Sequence, residues 1–320
     1  MDRLIDLTSA ITRRGFAIGA ALAGTSMLLP RTGATAARQA EDFGSLDLPT
    51  LDIIVLHDGY DGLPDSIAAG RYLINITCDA GVEGDEGIAF TRPPAGMTAE
   101  AFLTALAPPT MASPAASPVA DAGPGGASPA AMYQATWAGG TSALPGESSS
   151  VVLDLTEGEW IAWGDDPEST QVPTILSVTG TFPADAPEPA ADITATFIDF
   201  EITIDGNLVA GDHLLKVENT GAQPHLLYLD RYIGSGTLDD ESLATALEAA
   251  MSGADMPEGL NPETDLESAG VALTQSIGTM SWIPVSLQAG THSAICFFPA
   301  AGTGLPHAFM GMHTVFEVTE

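Results

Sequence analysis

The chain has 320 residues, 34 of them Gly and 23 Pro, and a formal net charge of −33 with a single lysine, Lys216. So little positive charge cannot neutralise phosphates, which excludes nucleic acid as a partner. The acidity reads as a solvating surface on an exported protein, and the length allows about two domains behind a leader.

Residues 1–36 read as a targeting segment. Thr12-Arg13-Arg14-Gly15-Phe16 sets adjacent arginines before an apolar run over 16–29, and Ala34-Thr35-Ala36 is a candidate cleavage site. The arrangement resembles a twin-arginine export signal. The run is too short and too rich in Gly and Ala for a membrane span. The expectation is a periplasmic, cell-envelope or extracellular protein with no stable membrane insertion once the signal is removed.

The first half, over 45–182, is expected to be strand-rich. Strands are predicted at 51–56 and 70–78, with turns over 58–65 between them. A short helix is predicted over 98–107, with Thr98 as N-cap and Ala99, Phe102, Leu103 and Leu106 on one face. The stretch over 108–131, which includes Ala-Ser-Pro-Ala-Ala-Ser-Pro, is too poor in large apolar side chains to fold and reads as a disordered insertion. Strands resume at 149–155, 159–163 and 174–182.

Residues 183–192 carry three closely spaced prolines and read as a linker. The second half, over 193–320, restarts the pattern. Residues 193–205 alternate in period two as one strand, with Ile198, Phe200, Ile202 and Ile204 on one face. The next strand is 211–219. A helix is predicted over 238–252 with the stripe Leu243, Ala246, Leu247 and Ala250, followed by a loop to about Gly270. Strands at 281–287, 292–298 and 313–318 close the chain.

The halves read as an internal repeat. Ala69-Gly-Arg-Tyr-Leu-Ile-Asn-Ile matches Ala210-Gly-Asp-His-Leu-Leu-Lys-Val, and the segment from Val152 matches that from Val285 with a one-residue offset. The expectation is that each half folds alone. The two cysteines, Cys78 and Cys296, fall at non-equivalent places in the two halves. That favours two free thiols over the bridge that an exported protein otherwise suggests.

Chemistry concentrates near the C-terminus. Cys296-Phe-Phe-Pro-Ala-Ala-Gly-Thr-Gly-Leu-Pro-His307-Ala-Phe-Met310-Gly-Met312 brings a thiol, an imidazole and two thioethers into one inter-strand loop. Soft sulfur with imidazole is the donor set copper prefers, and two His, one Cys and a weak axial Met make a blue-copper site. The second His is expected at His225, in Asn219-Thr-Gly-Ala-Gln-Pro-His225. His57, His213 and His313 have no partners at ligand spacing, and His292 reads as a strand neighbour of Cys296.

The segments Leu214-Leu-Lys-Val-Glu-Asn219-Thr-Gly-Ala-Gln-Pro-His225 and Pro306-His307-Ala-Phe-Met310 resemble the two halves of a cupredoxin copper site. The resemblance covers roughly the last third of the chain. It implies an all-β architecture of two tandem Greek-key β-sandwiches, each with a short inserted helix. It also implies one type 1 copper held by His225, Cys296, His307 and Met310, used for electron transfer with a redox partner protein or for copper handling. The spacing His-x-x-Met selects Met310 over Met312. Two departures stand out: ten residues separate Cys296 from His307, and Leu226 occupies the place of an Asn that ties the ligand loops together in many cupredoxins.

The repeat register places Gly164, Thr174 and Ser177 opposite Cys296, His307 and Met310, so the first half is expected to bind no metal. No three-His set for a second copper and no nucleophile-elbow pattern can be assembled, so the chain is expected not to be an enzyme. The alternative is a metal-free sandwich for adhesion or binding, in which Cys296 is a buried small hydrophobe and the methionines fill the core.

Overall fold

The computed structural model describes residues 47–82, 86–106, 129–164, 171–252, 254, 256–257 and 260–320. The leader over 1–36 and the insertion up to residue 128 lie outside them. The first half contributes β1 (Thr50–Leu56), β2 (Gly59–Asp61), β3 (Ser66–Ala68), β4 (Gly70–Cys78), β5 (Glu86–Arg92), β6 (Thr136–Ala143), β7 (Ser148–Leu155), β8 (Gly158–Trp163) and β9 (Thr174–Thr179). The second contributes β10 (Ile193–Ile198), β11 (Glu201–Gly206), β12 (Gly211–Asn219), β13 (His225–Tyr232), β14 (Leu266–Gln275), β15 (Met280–Leu287), β16 (Gly290–Ile295) and β17 (His313–Val318).

The fold is an all-β sandwich of two sheets, as expected. One sheet runs β11-β10-β12-β15-β7-β4-β1-β2 and the other β17-β16-β13-β14-β6-β5-β8-β9-β3. Both sheets pass through both halves without a break. The joins are antiparallel pairs of β7 with β15 (Leu153↔Ser281, Val152↔Trp282) and of β6 with β14 (Ala138↔Gln275). One apolar cluster then spans both halves, from Ile74, Ile88 and Leu153 to Phe197, Leu229, Cys296 and Phe298. Fully burying side chains of this size contributes about 1.5–3 kcal/mol each. The expectation of halves that fold alone meets a joint built from two sheets and a shared core.

The segment between the halves carries no strand, yet it is held down. Arg71 forms a bidentate pair with Asp154 and donates to the Pro187 carbonyl. Lys216 binds Glu188, and both cations lie against the Trp282 ring.

Several elements depart from the sequence reading. β2 occupies residues read as turns, and β3, β5, β6 and β14 occur where no strand was expected. The single strand over 193–205 is a hairpin that turns at Asp199 and Phe200. Burial follows the turn: Ile193, Ala195 and Phe197 face the core before it and Ile202 after it, while Ile198 is exposed.

Short helices flank the sheets. Thr98 caps the helix Ala99–Leu106 by accepting from the Ala101 N–H at 3.2 Å, the role the sequence assigned it. The residues from Pro129, read as the end of the insertion, cap and form a second short helix, Ala130–Gln134. The helix Asp240–Ser252 starts with a reciprocal Asp239–Ser242 capping pair. It presses Leu243, Ala246 and Leu247 against Ile295, Phe297 and Ala308, which braces the Cys296 loop from outside. Ala249, not Ala250, completes its buried stripe.

Candidate metal centre

Three peptide segments meet at one end of the second half. β12 ends at Asn219, whose side-chain amide donates to the carbonyls of Gln223 and Gln275, both at 2.8 Å. Its Oδ1 accepts from the Gly221 N–H at 2.9 Å. These bonds shape the loop that delivers His225 as the first residue of β13. Cys296 follows β16, and its N–H donates to the Met312 carbonyl at 3.1 Å.

The long Cys296–His307 spacing is absorbed by a folded-back loop. Pro299 pairs with Pro306, and the Ala300 N–H donates to the Leu305 carbonyl at 2.7 Å. The chain therefore returns to where it left: the His307 N–H reaches the Phe298 carbonyl at 2.8 Å and the Ala308 N–H the Cys296 carbonyl at 2.7 Å. The tie between ligand loops, absent at Leu226, comes from Gln223, whose Oε1 accepts the Ala301 N–H at 2.7 Å.

His225, Cys296 and His307 are thereby brought together as expected, all with 0% exposure. The two Nδ1 atoms lie 3.0 Å apart, and Cys296 Sγ lies 3.8 Å from His225 Nδ1 and 3.6 Å from His307 Nδ1. The point equidistant from these three donor atoms is about 2.0 Å from each, the length of a metal–imidazole bond. Among the described residues this is the one cluster of His, Cys, Asp or Glu gathered as metal ligands are.

Burial sets the charge state. It pushes the Cys296 thiol up to about 12, opposed by backbone N–H groups of Leu226 and Phe298 that donate to the sulfur. It pushes His307 down to about 3, with the His225 ring adding to the effect. It also lowers His225, against the pull of Asp199. The imidazoles are thus neutral, the state that binds metal, and the two N–H groups await a thiolate.

The sequence matches no protein-family model and no curated protein. Solved structures similar to the chain include the copper nitrite reductase from Nitrosomonas europaea, at 10% identity over 85% of this chain and 94% of that one, with a TM-score of 0.23. Auracyanin from Roseiflexus castenholzii is 18% identical over 40% of this chain and 95% of its own, with a TM-score of 0.26. Auracyanin A from Chloroflexus aurantiacus, titled a "blue" copper protein, is 15% identical over 41% and 98%, with a TM-score of 0.26. At TM-scores this low, fold and site rest on the strand pairing and distances above.

The two thioethers differ in burial, which the His-x-x-Met spacing that selects Met310 does not foresee. His307–Met310 is a single 3-10 turn closed by Gly311 in the left-handed region at φ 95°. That turn breaks period two, so Met310 and Met312 do not share a face. Met310 is 41% exposed, whereas Met312 is fully buried in the same apolar cluster as Cys296 and Phe298. The Met312 backbone bonds to both Cys296 and His307.

The remaining histidines stand outside the cluster. His213 binds Asp192, His313 lies beside Asp240, and His292 stacks on Phe316; His57 is exposed. Sequence reasoning missed Asp199 and Phe200 at the tip of the β10–β11 hairpin. Asp199 Oδ1 contacts His225 Nε2 at 3.2 Å, and the Phe200 ring meets His307 edge-on at 5.2 Å. The available signal was the Asp-Phe pair interrupting two alternating runs.

Proposed function

We propose that the chain is an exported copper protein of the cupredoxin type, holding one type 1 copper for electron transfer or copper handling. The observation that carries this reading is the convergence of one buried thiol and two buried imidazole Nδ1 atoms on a single point. Two nitrogens, one sulfur and a thioether buried in the same apolar cluster as Cys296 make the donor set that selects copper. His225, His307 and the Cys296 thiolate would hold the ion, and the buried Met312, in place of the exposed Met310, would supply the thioether. When bound, copper supplies a one-electron couple.

The chain's own part is to hold the donors still and dry. Asn219 and Gln223 fix the His225 loop, and the helix Asp240–Ser252 backs the Cys296 loop. Leu226 and Phe298 N–H groups stabilise the thiolate. Phe200 and Phe298 stand against His307, and Phe197 against His225. No ligand side chain reaches solvent, which favours electron exchange over substrate turnover, with a protein as redox partner. The mirrored strand orders of the two halves support an ancestral duplication, with Gly164, Thr174 and Ser177 lacking the donors for copper in the first half.

Copper titration tests the reading. One equivalent per chain is expected to bind tightly, with His225→Ala and Cys296→Ser each abolishing that equivalent. Equal uptake by the variants assigns binding to the acidic surface and overturns it.

A further inference from the structure

One feature of the centre is built by a segment far from the ligands in sequence. The hairpin between β10 and β11 turns at Asp199 and Phe200, and Phe200 adopts φ 63°. A bulky residue in the left-handed region is strained and persists only when its surroundings enforce it. Here they do. Asp199 Oδ1 accepts the N–H groups of Ala222 at 2.8 Å and Gln223 at 3.1 Å, both in the His225 loop. The same oxygen faces His225 Nε2 at 3.2 Å.

Gly221 leaves room for that contact. A Cβ at Gly221 would sit 2.5 Å from Asp199 Oδ1 and 2.9 Å from His225 Nε2, closer than real Cβ atoms come. The absent side chain, the strained turn and the two backbone donors all serve one contact, a carboxylate oxygen against the outer nitrogen of a buried imidazole.

From this geometry we infer that Asp199 is a positioning residue of the metal centre. By accepting the His225 Nε2–H it holds the ring in the tautomer whose Nδ1 is bare and aimed at the ion. A carboxylate in this place also raises the basicity of the ligand. Its negative charge favours the more highly charged oxidised ion, so it lowers the reduction potential. His225 Nδ1 then accepts from His307 Nδ1–H when no metal is present, which accounts for the 3.0 Å contact and for a buried His307 Nε2 with no partner.

The inference rests on the copper reading for its redox part alone, and the test separates the two. Long-range proton–nitrogen NMR of the metal-free full chain reads the His225 tautomer without copper, and spectroelectrochemistry of the copper-loaded protein reads the potential. In the wild type the His225 proton is expected on Nε2. Gly221→Ala, which pushes Asp199 away, and Asp199→Ala are expected to mix the tautomers and weaken copper about 10- to 100-fold. Asp199→Asn keeps an acceptor and removes the charge, so it should preserve the tautomer and raise the potential. If Asp199→Ala fails to fold, the other two variants carry the test. A wild-type His225 proton on Nδ1, or an unchanged potential in Asp199→Asn, overturns the assignment. The expected tautomer in a chain that takes up no copper supports the hold of Asp199 on His225 and overturns the copper reading.

Discussion

His225 Nδ1 and His307 Nδ1 stand 3.0 Å apart although 82 residues separate them in the chain. Two ring nitrogens at that distance need a shared proton or a shared cation between them, since two bare lone pairs repel. Burial favours the neutral form of both rings, so a ring N–H can serve as the shared proton in the metal-free chain, and a cation in its place would also meet Cys296 Sγ.

The first prediction concerns stability. A ligand that binds only the folded chain, at about a hundred times its Kd, stabilises it by about 2.7 kcal/mol. Copper is therefore expected to raise Tm by several degrees in the wild type and to leave Cys296→Ser unmoved. Differential scanning calorimetry with and without copper checks this.

The second concerns the two thioethers. Met312 is buried in the cluster that holds Cys296, and Met310 is exposed. Met312→Leu removes a donor that helps the oxidised ion more than the reduced one, so the reduction potential should rise. Met310→Leu should leave the potential and the visible spectrum unchanged. A shift in Met310→Leu alone would restore the ligand that the His-x-x-Met spacing suggested.

A third prediction concerns the halves. Cutting between them frees the β14 and β15 edges and opens the shared core, and unpaired edges invite association. Residues 193–320 made alone are expected to self-associate or unfold in sedimentation and circular dichroism measurements. A stable monomer that binds copper would support the linker reading of 183–192.

The fourth uses Asp230, buried on β13 opposite Ser293 and Ser268. Burial raises its carboxyl to about 7 from 3.8. The folded chain therefore holds a proton that the unfolded chain gives up between these values. Its stabilising contribution is fully present at low pH and is lost as pH rises through that window, by at most about 1.4 kcal/mol per unit. Asp230→Asn should flatten this slope and be the more stable form at pH 8 in urea unfolding. A steeper or unchanged slope contradicts the assignment.

The donors of the site were legible because Pro-His at 224–225 and 306–307 and Cys296 are local features of sequence. The choice between the two thioethers was not, since the His-x-x-Met spacing that selects Met310 takes no account of the 3-10 turn and the left-handed Gly311, which leave Met310 exposed and Met312 buried. Strand β6 carries adjacent glycines, Gly139 and Gly140, inside its run, which weaken any strand pattern there. In the structure a Cβ on Gly140 would lie 2.1 Å from the Ile88 carbonyl oxygen, so glycine is what lets β6 close on β5 opposite Ala89. The Asp199 contact and the continuous sheets depend on segments distant in sequence, and no period or local motif encodes either.

The central claim is a copper–thiolate bond at Cys296, and its most direct test is the visible absorption of the protein reconstituted with Cu(II). An intense band toward the red end of the visible spectrum is expected in the wild type and should vanish in Cys296→Ser. A colourless wild-type protein after reconstitution, with both Cys78 and Cys296 still titrating as free thiols, would contradict the account and leave the metal-free sandwich in its place.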